Sequence, residues 1–150
     1  MATRQARLRP DVSVLCNERK DVEAPRKILI VDDERDLVET CARFLGLSRY
    51  ECARAFNKSE AIRSIDEFKP HLVLTDLHLP DGTGFEIVRY ARSKNPQSLA
   101  IMITAYHSPD AEKAVVEAGA NAYLPKPFAM SELGRTVAMT FDEIFLSAPL

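Results

Sequence analysis

The chain has 150 residues, 46% of them hydrophobic and 28% charged, which is ordinary for one globular domain with a hydrophobic core. A net charge of −2 and the lack of an apolar run long enough to span a membrane argue against nucleic acid or a membrane as an obligatory partner. The cysteines, Cys16, Cys41 and Cys52, are odd in number and form no C-x-x-C pair, so they predict neither a disulfide framework nor a zinc site. We therefore expect a reducing, cytoplasmic setting.

The first 25 residues are predicted to be an extension outside the folded core. Residues 1–27 hold seven Lys and Arg against four Asp and Glu. Terminal segments with few apolar residues seldom become ordered, which favours a flexible extension. A basic arm that contacts a partner is the alternative. We expect residues 26–147 to form one domain and residues 148–150 to be a short tail.

From Lys27 onward, short apolar runs alternate with segments of helical periodicity. Five runs are predicted to be strands: Ile28–Val31, Glu51–Phe56, Leu72–Thr75, Leu99–Ile103 and Ala122–Leu124. A helix is predicted after each strand, around Leu37–Leu45, Lys58–Glu67, Phe85–Ala91, Ser108–Gly119 and Ser131–Phe145. Ser108 and Ser131 are the expected N-caps of the last two helices, with Pro109 at a first helical position. Gly119 is expected to end the fourth helix.

This alternation predicts an α/β fold with a single, doubly wound, five-stranded parallel sheet and five helices covering both faces. Right-handed crossovers restrict the topology to a few arrangements. The first, third and fourth strands are the most apolar and belong in the middle, which fits the strand order 2-1-3-4-5. In that order the carboxyl ends of the first and third strands flank a crevice.

Five polar side chains follow the carboxyl ends of the predicted strands. Asp32 and Asp33 follow the first strand, Asp76 the third, Thr104 the fourth and Lys126 the fifth. Each has an ordinary alternative: Asp76 can begin a turn, Asp33 and Thr104 can cap helices, and Lys126 can be a solvated surface residue. Because the strands are parallel, all five side chains reach the same edge of the sheet, which favours a functional site there.

The charges at this edge predict a metal and a reaction type. Three adjacent carboxylates repel one another, and at least one takes up a proton unless a cation joins them. Oxygen ligands with positions left for water and a phosphate group favour Mg²⁺ over Ca²⁺. The ammonium of Lys126 and the hydroxyl of Thr104 add a positive charge and a hydrogen-bond donor. Together they suit the arrival of a phosphoryl group on one carboxylate.

The chain resembles the receiver domain of two-component response regulators, the family that includes the chemotaxis regulator. The resemblance extends from about Lys27 to Phe145 and implies a flavodoxin-like fold. It rests on motifs that occur in order along the chain: Ile30-Val31-Asp32-Asp33-Glu34, Thr75-Asp76, Leu79-Pro80-Asp81-Gly82, Ile103-Thr104-Ala105, Gly119-Ala120 and Tyr123-Leu124-Pro125-Lys126-Pro127-Phe128.

The resemblance implies a role for each acid and for the lysine. Asp76 would accept a phosphoryl group from a sensor histidine kinase or a histidine phosphotransfer protein. Asp33 and Asp76 would ligate Mg²⁺ directly, Asp32 would do so through water, and the backbone carbonyl of His78 would complete the protein ligands. Lys126 would pair with Asp76 and then with the phosphoryl oxygens.

The resemblance also implies a conformational switch. Thr104 would move toward the phosphoryl group and Tyr123 would turn inward behind it. The surface formed by the fourth helix, the fifth strand and the fifth helix would then change its partner preference, with a homodimer through this face as one outcome. Ordinary packing of Tyr123 is the alternative. The Lys126-Pro127 peptide bond is expected to be cis.

His78 and Tyr106 lie two residues after Asp76 and Thr104, respectively, and are predicted to modulate the phosphorylated lifetime. Large side chains there would screen the acyl phosphate from water, so replacing both by small polar residues should shorten that lifetime. The alternative is that both rings point to solvent. We do not expect the ring of His78 to ligate the metal, because the other ligands are hard oxygens.

Three classes of function remain, and a phosphorylation switch is favoured. A flavodoxin-like carrier would need a phosphate-binding loop in place of Asp32-Asp33-Glu34, and a haloacid-dehalogenase-like phosphatase would need an Asp in place of His78. A degenerate receiver, acting as a docking module without phosphorylation, would have lost an acid or the lysine. We therefore expect a phosphoacceptor with self-catalysed phosphotransfer and slow autodephosphorylation, and no other enzyme activity. The chain either works alone through protein contacts or is a piece of a longer regulator.

Overall fold

The computed structural model describes residues 24–105 and 108–147, with side chains described as far as residue 142. Strands and helices alternate along this part of the chain, as the hydrophobic pattern predicts. Their bounds are β1 (Lys27–Val31), α1 (Arg35–Leu47), β2 (Glu51–Ala55), α2 (Lys58–Phe68), β3 (Leu72–Asp76), β4 (His78–Leu79), β5 (Gly82–Thr83), α3 (Gly84–Lys94), β6 (Leu99–Thr104), α4 (Pro109–Glu117), β7 (Ala122–Pro125) and α5 (Met130–Ser147).

Within the described residues, five strands form one parallel sheet in the order β2-β1-β3-β6-β7. The two-residue strands β4 and β5 form a separate antiparallel hairpin. Without that hairpin, the sheet has the predicted order 2-1-3-4-5, so the predicted fold class is confirmed. The register aligns Val31 of β1 with Thr75 of β3, and Asp76 with Ile103 of β6. The carboxyl ends of the central strands therefore finish at the same level.

The alternation of side chains along the strands explains why both faces of the sheet are covered. Ile28 and Ile30 of β1 face a core with α1 and α5, whereas Leu29 and Val31 face a core with α2 and α3. A third cluster joins α3, α4 and β6. β3 and β6 are buried at every residue, which accounts for their continuous apolar runs.

Both ends of α4 lie where the sequence predicts them. The hydroxyl of Ser108 accepts a hydrogen bond from the N–H of Ala111 at 3.1 Å, and Pro109 occupies the first helical position. Gly119 lies just beyond the end of α4 with a φ of 95°, a conformation that favours glycine. Ser108 and Gly119 were therefore predicted correctly.

The predicted start of the last helix is wrong by two residues. Ser131 lies inside α5, which begins at Met130. The carbonyl of Ala129 accepts the N–H groups of Glu132 and Leu133, so Ala129 occupies the capping position. The carboxylate of Glu132 in turn accepts the N–H of Ala129 at 2.9 Å, which supplies half of a capping box without a Ser or Thr cap.

Part of the predicted domain organisation lies outside the described residues. This applies to residues 1–23 of the predicted extension and to the tail, residues 148–150. In the portions of the chain that are described, no helix combines the length and hydropathy needed to cross a membrane.

Candidate functional site

Three carboxylates that lie far apart in the sequence meet at the carboxyl edge of the sheet. Asp32 and Asp33 follow β1, and Asp76 is the last residue of β3. One oxygen from each side chain lies within 4.8 Å of the other two. Asp32 is fully buried, Asp76 is 8% exposed and Asp33 is exposed. The acids that the sequence predicts at this edge therefore do lie together.

Lys126 places its ammonium among these acids. Its Nζ lies 2.8 Å from Asp32 Oδ2, 3.3 Å from Asp76 Oδ2 and 2.8 Å from Glu34 Oε1. The backbone helps to position the residue, because the N–H of Lys126 donates to the carbonyl of Thr104 at 2.9 Å. An ammonium group has three N–H donors, so its capacity matches the three carboxylates that surround it in the described structure.

The peptide bond that follows Lys126 is cis, as predicted. The bond is Lys126-Pro127, and it lies in the segment that joins β7 to α5. The same segment carries the lysine side chain toward the strand ends. The predicted cis isomer is therefore confirmed, directly after the residue whose ammonium contacts the acids.

Burial and charge have opposite effects on the two buried members of the cluster. Burial raises the pKa of Asp32, and the nearby charge of Asp76 adds to this effect, while Lys126 and the N–H of Glu34 partly oppose it. Burial alone would lower the pKa of Lys126, but its close contacts with the carboxylates of Asp32 and Glu34 outweigh burial and raise the pKa above its usual range. Lys126 therefore carries a positive charge amid several negative groups.

The donor set fits a hard divalent cation. Asp32 Oδ1 accepts the N–H of Glu34 at 2.9 Å. Asp32 Oδ2 is buried and forms the ion pair with Lys126, yet among the described residues no donor makes an aligned hydrogen bond to it. A buried oxygen that is incompletely satisfied beside two further carboxylates is what a cation would complete. Oxygen ligands of this kind suit Mg²⁺.

The surroundings of Asp76 fix its position at the end of β3. The N–H of His78 donates to Asp76 Oδ1 at 3.3 Å, and the N–H of Leu77 donates to the carbonyl of Ile103 at 2.9 Å. Helix α3 starts directly against this strand end. A Cβ on Gly84 would lie 2.5 Å from the carbonyl oxygen of Asp76, so only glycine allows this close approach.

The predicted switch residues lie near the same edge. Thr104 is the last residue of β6 and is 1% exposed. Tyr123 on β7 is partly buried and packs against the third hydrophobic cluster, which includes Met102 and Val115. Burial raises the pKa of Tyr123, with a smaller contribution from Glu112. Their switching roles remain predictions.

Of the two predicted modulating residues, His78 lies within the described structure. The side chain of His78 is exposed on β4, at the start of the hairpin that follows Asp76. Tyr106 lies outside the described residues. Their effect on a phosphorylated lifetime therefore stays a prediction.

The structure adds Glu34 to the site and removes one alternative. Glu34 is 63% exposed, yet it reaches Lys126, 92 positions further along the chain. The only sequence signal for it was the run of three acids after β1. Glu34 also occupies the N-cap position of α1, where its side chain makes no capping hydrogen bond within the described structure. The alternative in which Asp33 caps this helix is therefore wrong.

Comparison with known proteins identifies the class to which this fold and site belong. The family described as the response regulator receiver domain matches residues 28–138. The chain therefore belongs to the response regulator receiver domain family. Receiver domains generally bind Mg²⁺ at an acidic cluster, and Asp32, Asp33 and Asp76 form such a cluster here.

Individual relatives agree with this assignment. The chain is 39% identical to the response regulator protein PilR of Pseudomonas aeruginosa over 113 residues, which are 75% of this chain and 25% of PilR. It is 37% identical to the transcriptional regulatory protein PrrA of Mycobacterium tuberculosis over 112 residues, 75% of this chain and 48% of PrrA. The chain thus spans half or less of the length of these two relatives.

A solved structure confirms the similarity in three dimensions. The CheY-like response regulator receiver domain protein of Methanospirillum hungatei JF-1 superimposes with a TM-score of 0.76 at 30% identity. The match covers 83% of this chain and 99% of that structure. The receiver domain of HemR from Leptospira biflexa gives a TM-score of 0.73, also at 30% identity, over 83% of this chain and 98% of its own.

Proposed function

We propose that this chain accepts a phosphoryl group on Asp76 with the help of Mg²⁺ and uses the modification to switch a protein-binding surface. The observation that carries the proposal is the position of Lys126. Its ammonium contacts both Asp32 and Asp76 at the carboxyl edge of the sheet, beside the exposed acid Asp33. This arrangement combines a nucleophilic carboxylate, a fixed positive charge and an incompletely satisfied group of oxygen ligands.

The proposed reaction is an in-line transfer. A carboxylate oxygen of Asp76 forms a bond to phosphorus while the bond between phosphorus and the donor breaks, and the leaving group takes a proton. For a protein donor the broken bond is the P–N bond of a phosphohistidine. The ammonium of Lys126 stabilises charge on the phosphoryl oxygens. Bound Mg²⁺ would neutralise further charge, held by Asp33 and Asp76 directly, by Asp32 through water and by the carbonyl of His78.

The proposed partners follow from the family. Receiver domains of response regulators interact with histidine kinases, and we propose a kinase or a phosphotransfer protein as the donor for this chain. After transfer, Thr104 and Tyr123 would rearrange and alter the surface formed by α4, β7 and α5. We propose no enzymatic activity beyond self-catalysed phosphotransfer and slow loss of the phosphoryl group. A docking module that works without phosphorylation is less favoured, because every acid and the lysine are in place.

The proposal is tested by following the intact mass of the protein during incubation with acetyl phosphate and Mg²⁺. The wild-type protein should gain one phosphoryl group, and Asp76→Asn or an excess of EDTA should prevent the gain. Asp36→Asn is the matched control, because Asp36 is an exposed acid on the first turn of α1 and should leave the gain unchanged. Incorporation that persists in Asp76→Asn, or that ignores EDTA, would contradict the proposal.

A further inference from the structure

The turn of the β4–β5 hairpin is attached to the first turn of α2. Asp81 lies in this turn, and its carboxylate accepts the N–H of Lys58 at 2.6 Å and the N–H of Ser59 at 3.0 Å. The hydroxyl of Ser59 donates to the same carboxylate at 3.0 Å. These hydrogen bonds lower the pKa of Asp81, so its carboxylate is ionised at neutral pH.

Asp81 completes the capping of α2 from a distant part of the chain. The side chain of Asn57, the N-cap residue, accepts the N–H of Glu60 at 2.8 Å. The N–H groups of Lys58 and Ser59 are left for Asp81 to bind. The first turn of a helix has unpaired N–H groups and a partial positive charge, so a carboxylate binds there favourably. The hairpin turn is thus held by directed hydrogen bonds as well as by charge.

A second contact joins the same turn of α2 to the first turn of α3, which directly follows the hairpin. Lys58 Nζ lies 3.2 Å from Glu86 Oε2. Glu86 belongs to the capping box of α3, in which its Oε1 accepts the N–H of Thr83 at 2.9 Å and its N–H donates to the Thr83 hydroxyl at 3.3 Å. The first turn of α2 therefore contacts both the turn of the hairpin and Glu86 in the first turn of α3.

The hairpin links these contacts to the acceptor site. Asp81 is five residues after Asp76, and the intervening His78 donates its N–H to Asp76 Oδ1 at 3.3 Å. A shift of the hairpin turn would move the backbone of His78 with it, because β4 and β5 are only two residues long each. Groups that orient metal ligands from outside the ligand set commonly affect metal affinity strongly.

We propose that Asp81 is a positioning residue that uses the N-terminus of α2 to hold the acceptor hairpin in the conformation that binds Mg²⁺. The inference rests on the proposed function, because it concerns the metal site of that reaction. It goes beyond the acids, the lysine and the carbonyl of His78, since Asp81 is not one of the proposed ligands and its carboxylate binds α2. Helix α2 thereby becomes part of the support of the acceptor site.

The test compares two acids that both join α2 to the segment 77–94. Asp81→Ala removes the contact beside the acceptor. Asp66→Asn is the control, because the Asp66 carboxylate accepts the hydroxyl of Tyr90 at 2.8 Å, away from the acid cluster. The dissociation constant for Mg²⁺ is measured by titration calorimetry, and the melting temperature is measured for the same samples. Asp81→Asn retains one acceptor oxygen, so its dissociation constant for Mg²⁺ should lie between those of the wild type and Asp81→Ala.

Asp81→Ala should weaken Mg²⁺ binding about tenfold at a temperature where the variant is fully folded. Asp66→Asn should keep the wild-type affinity even if it melts earlier. Unchanged Mg²⁺ affinity in Asp81→Ala, with a lower melting temperature, would overturn the inference and leave the proposed function standing. A wild-type protein that does not bind Mg²⁺ would overturn the proposed function and the inference together.

Discussion

At the scale of single residues, the main feature of the site is that three carboxylates contact the ammonium of Lys126. Asp32 and Asp76 belong to the proposed machinery, whereas Glu34 contacts the same ammonium from the exposed rim. Glu34 therefore adds a negative charge close to where an anionic phosphoryl group would arrive. Neutralising Glu34 should therefore speed phosphorylation, whereas neutralising an acid that is proposed to ligate Mg²⁺ should slow it.

Glu34→Gln should accelerate phosphorylation by acetyl phosphate. Removing one unit charge roughly 6 Å from the phosphoryl group in high-dielectric surroundings lowers the barrier enough for about a threefold faster reaction. The rate is measured from the gain in mass at several donor concentrations. Glu39→Gln is the matched control, since Glu39 also lies on α1 and pairs with Arg54 at 3.0 Å, outside the site. A slower reaction in Glu34→Gln would show that Glu34 is needed to position Lys126.

The buried carboxyl of Asp32 should leave a signature in the pH dependence of stability. Its pKa is raised mainly by burial, so the folded protein holds this proton more tightly than the unfolded chain. Between the ordinary and the raised pKa, the folded state binds more protons. The contribution of Asp32 to the free energy of unfolding therefore falls as the pH rises through that range.

Asp32→Asn should remove this contribution in the metal-free protein. The variant should gain stability relative to wild type as the pH rises from the ordinary to the raised pKa of Asp32, and the difference between the two proteins should be constant below that range. Urea unfolding at a series of pH values, with EDTA present, measures both proteins. Equal pH dependence in the two proteins would contradict the raised pKa of Asp32. Changes shared by both proteins belong to other acids such as Asp81, whose pKa is lowered.

At the scale of elements, local chemistry decided how well each boundary could be predicted. The Ser108-Pro109 pair is a complete local signal, and α4 starts there. The start of α5 was misplaced because the Glu132 carboxylate takes the N–H of Ala129, and no Ser or Thr marks that cap. The sequence does not predict the β4–β5 hairpin, since strands of two residues have no period to detect.

The two serines give a paired test of these boundaries. Ser108→Ala should reduce the free energy of unfolding by about 1 kcal/mol, because it removes the N-cap hydrogen bond to Ala111. Ser131→Ala should change it by less than about 0.5 kcal/mol, because Ser131 is exposed inside α5. Urea unfolding provides both values. A decrease of about 1 kcal/mol in the free energy of unfolding of Ser131→Ala would instead show that Ser131 caps α5.

At the scale of the whole molecule, the order of the strands explains why the site could be located from the sequence. Residues that follow the carboxyl ends of parallel strands lie at the same edge of the sheet. The sequence alone could therefore assign Asp32, Asp76 and Lys126 to one site, without the distances between them. The contacts that the sequence did not predict link residues that are far apart along the chain. Glu34 reaches Lys126 over 92 positions, and Asp81 reaches Lys58 over 23. Such contacts depend on side-chain lengths and loop paths, which periodicity does not encode.

The most direct measurement of the central claim is the chemical location of the phosphoryl group. The full chain is treated with acetyl phosphate and Mg²⁺, the acyl phosphate is reduced with borohydride, and peptides are sequenced by mass spectrometry. The account predicts a reduced side chain at Asp76 alone, and none when EDTA replaces Mg²⁺. Modification at Asp32 or Asp33 in place of Asp76, or at Asp76 to the same extent in EDTA, would contradict it.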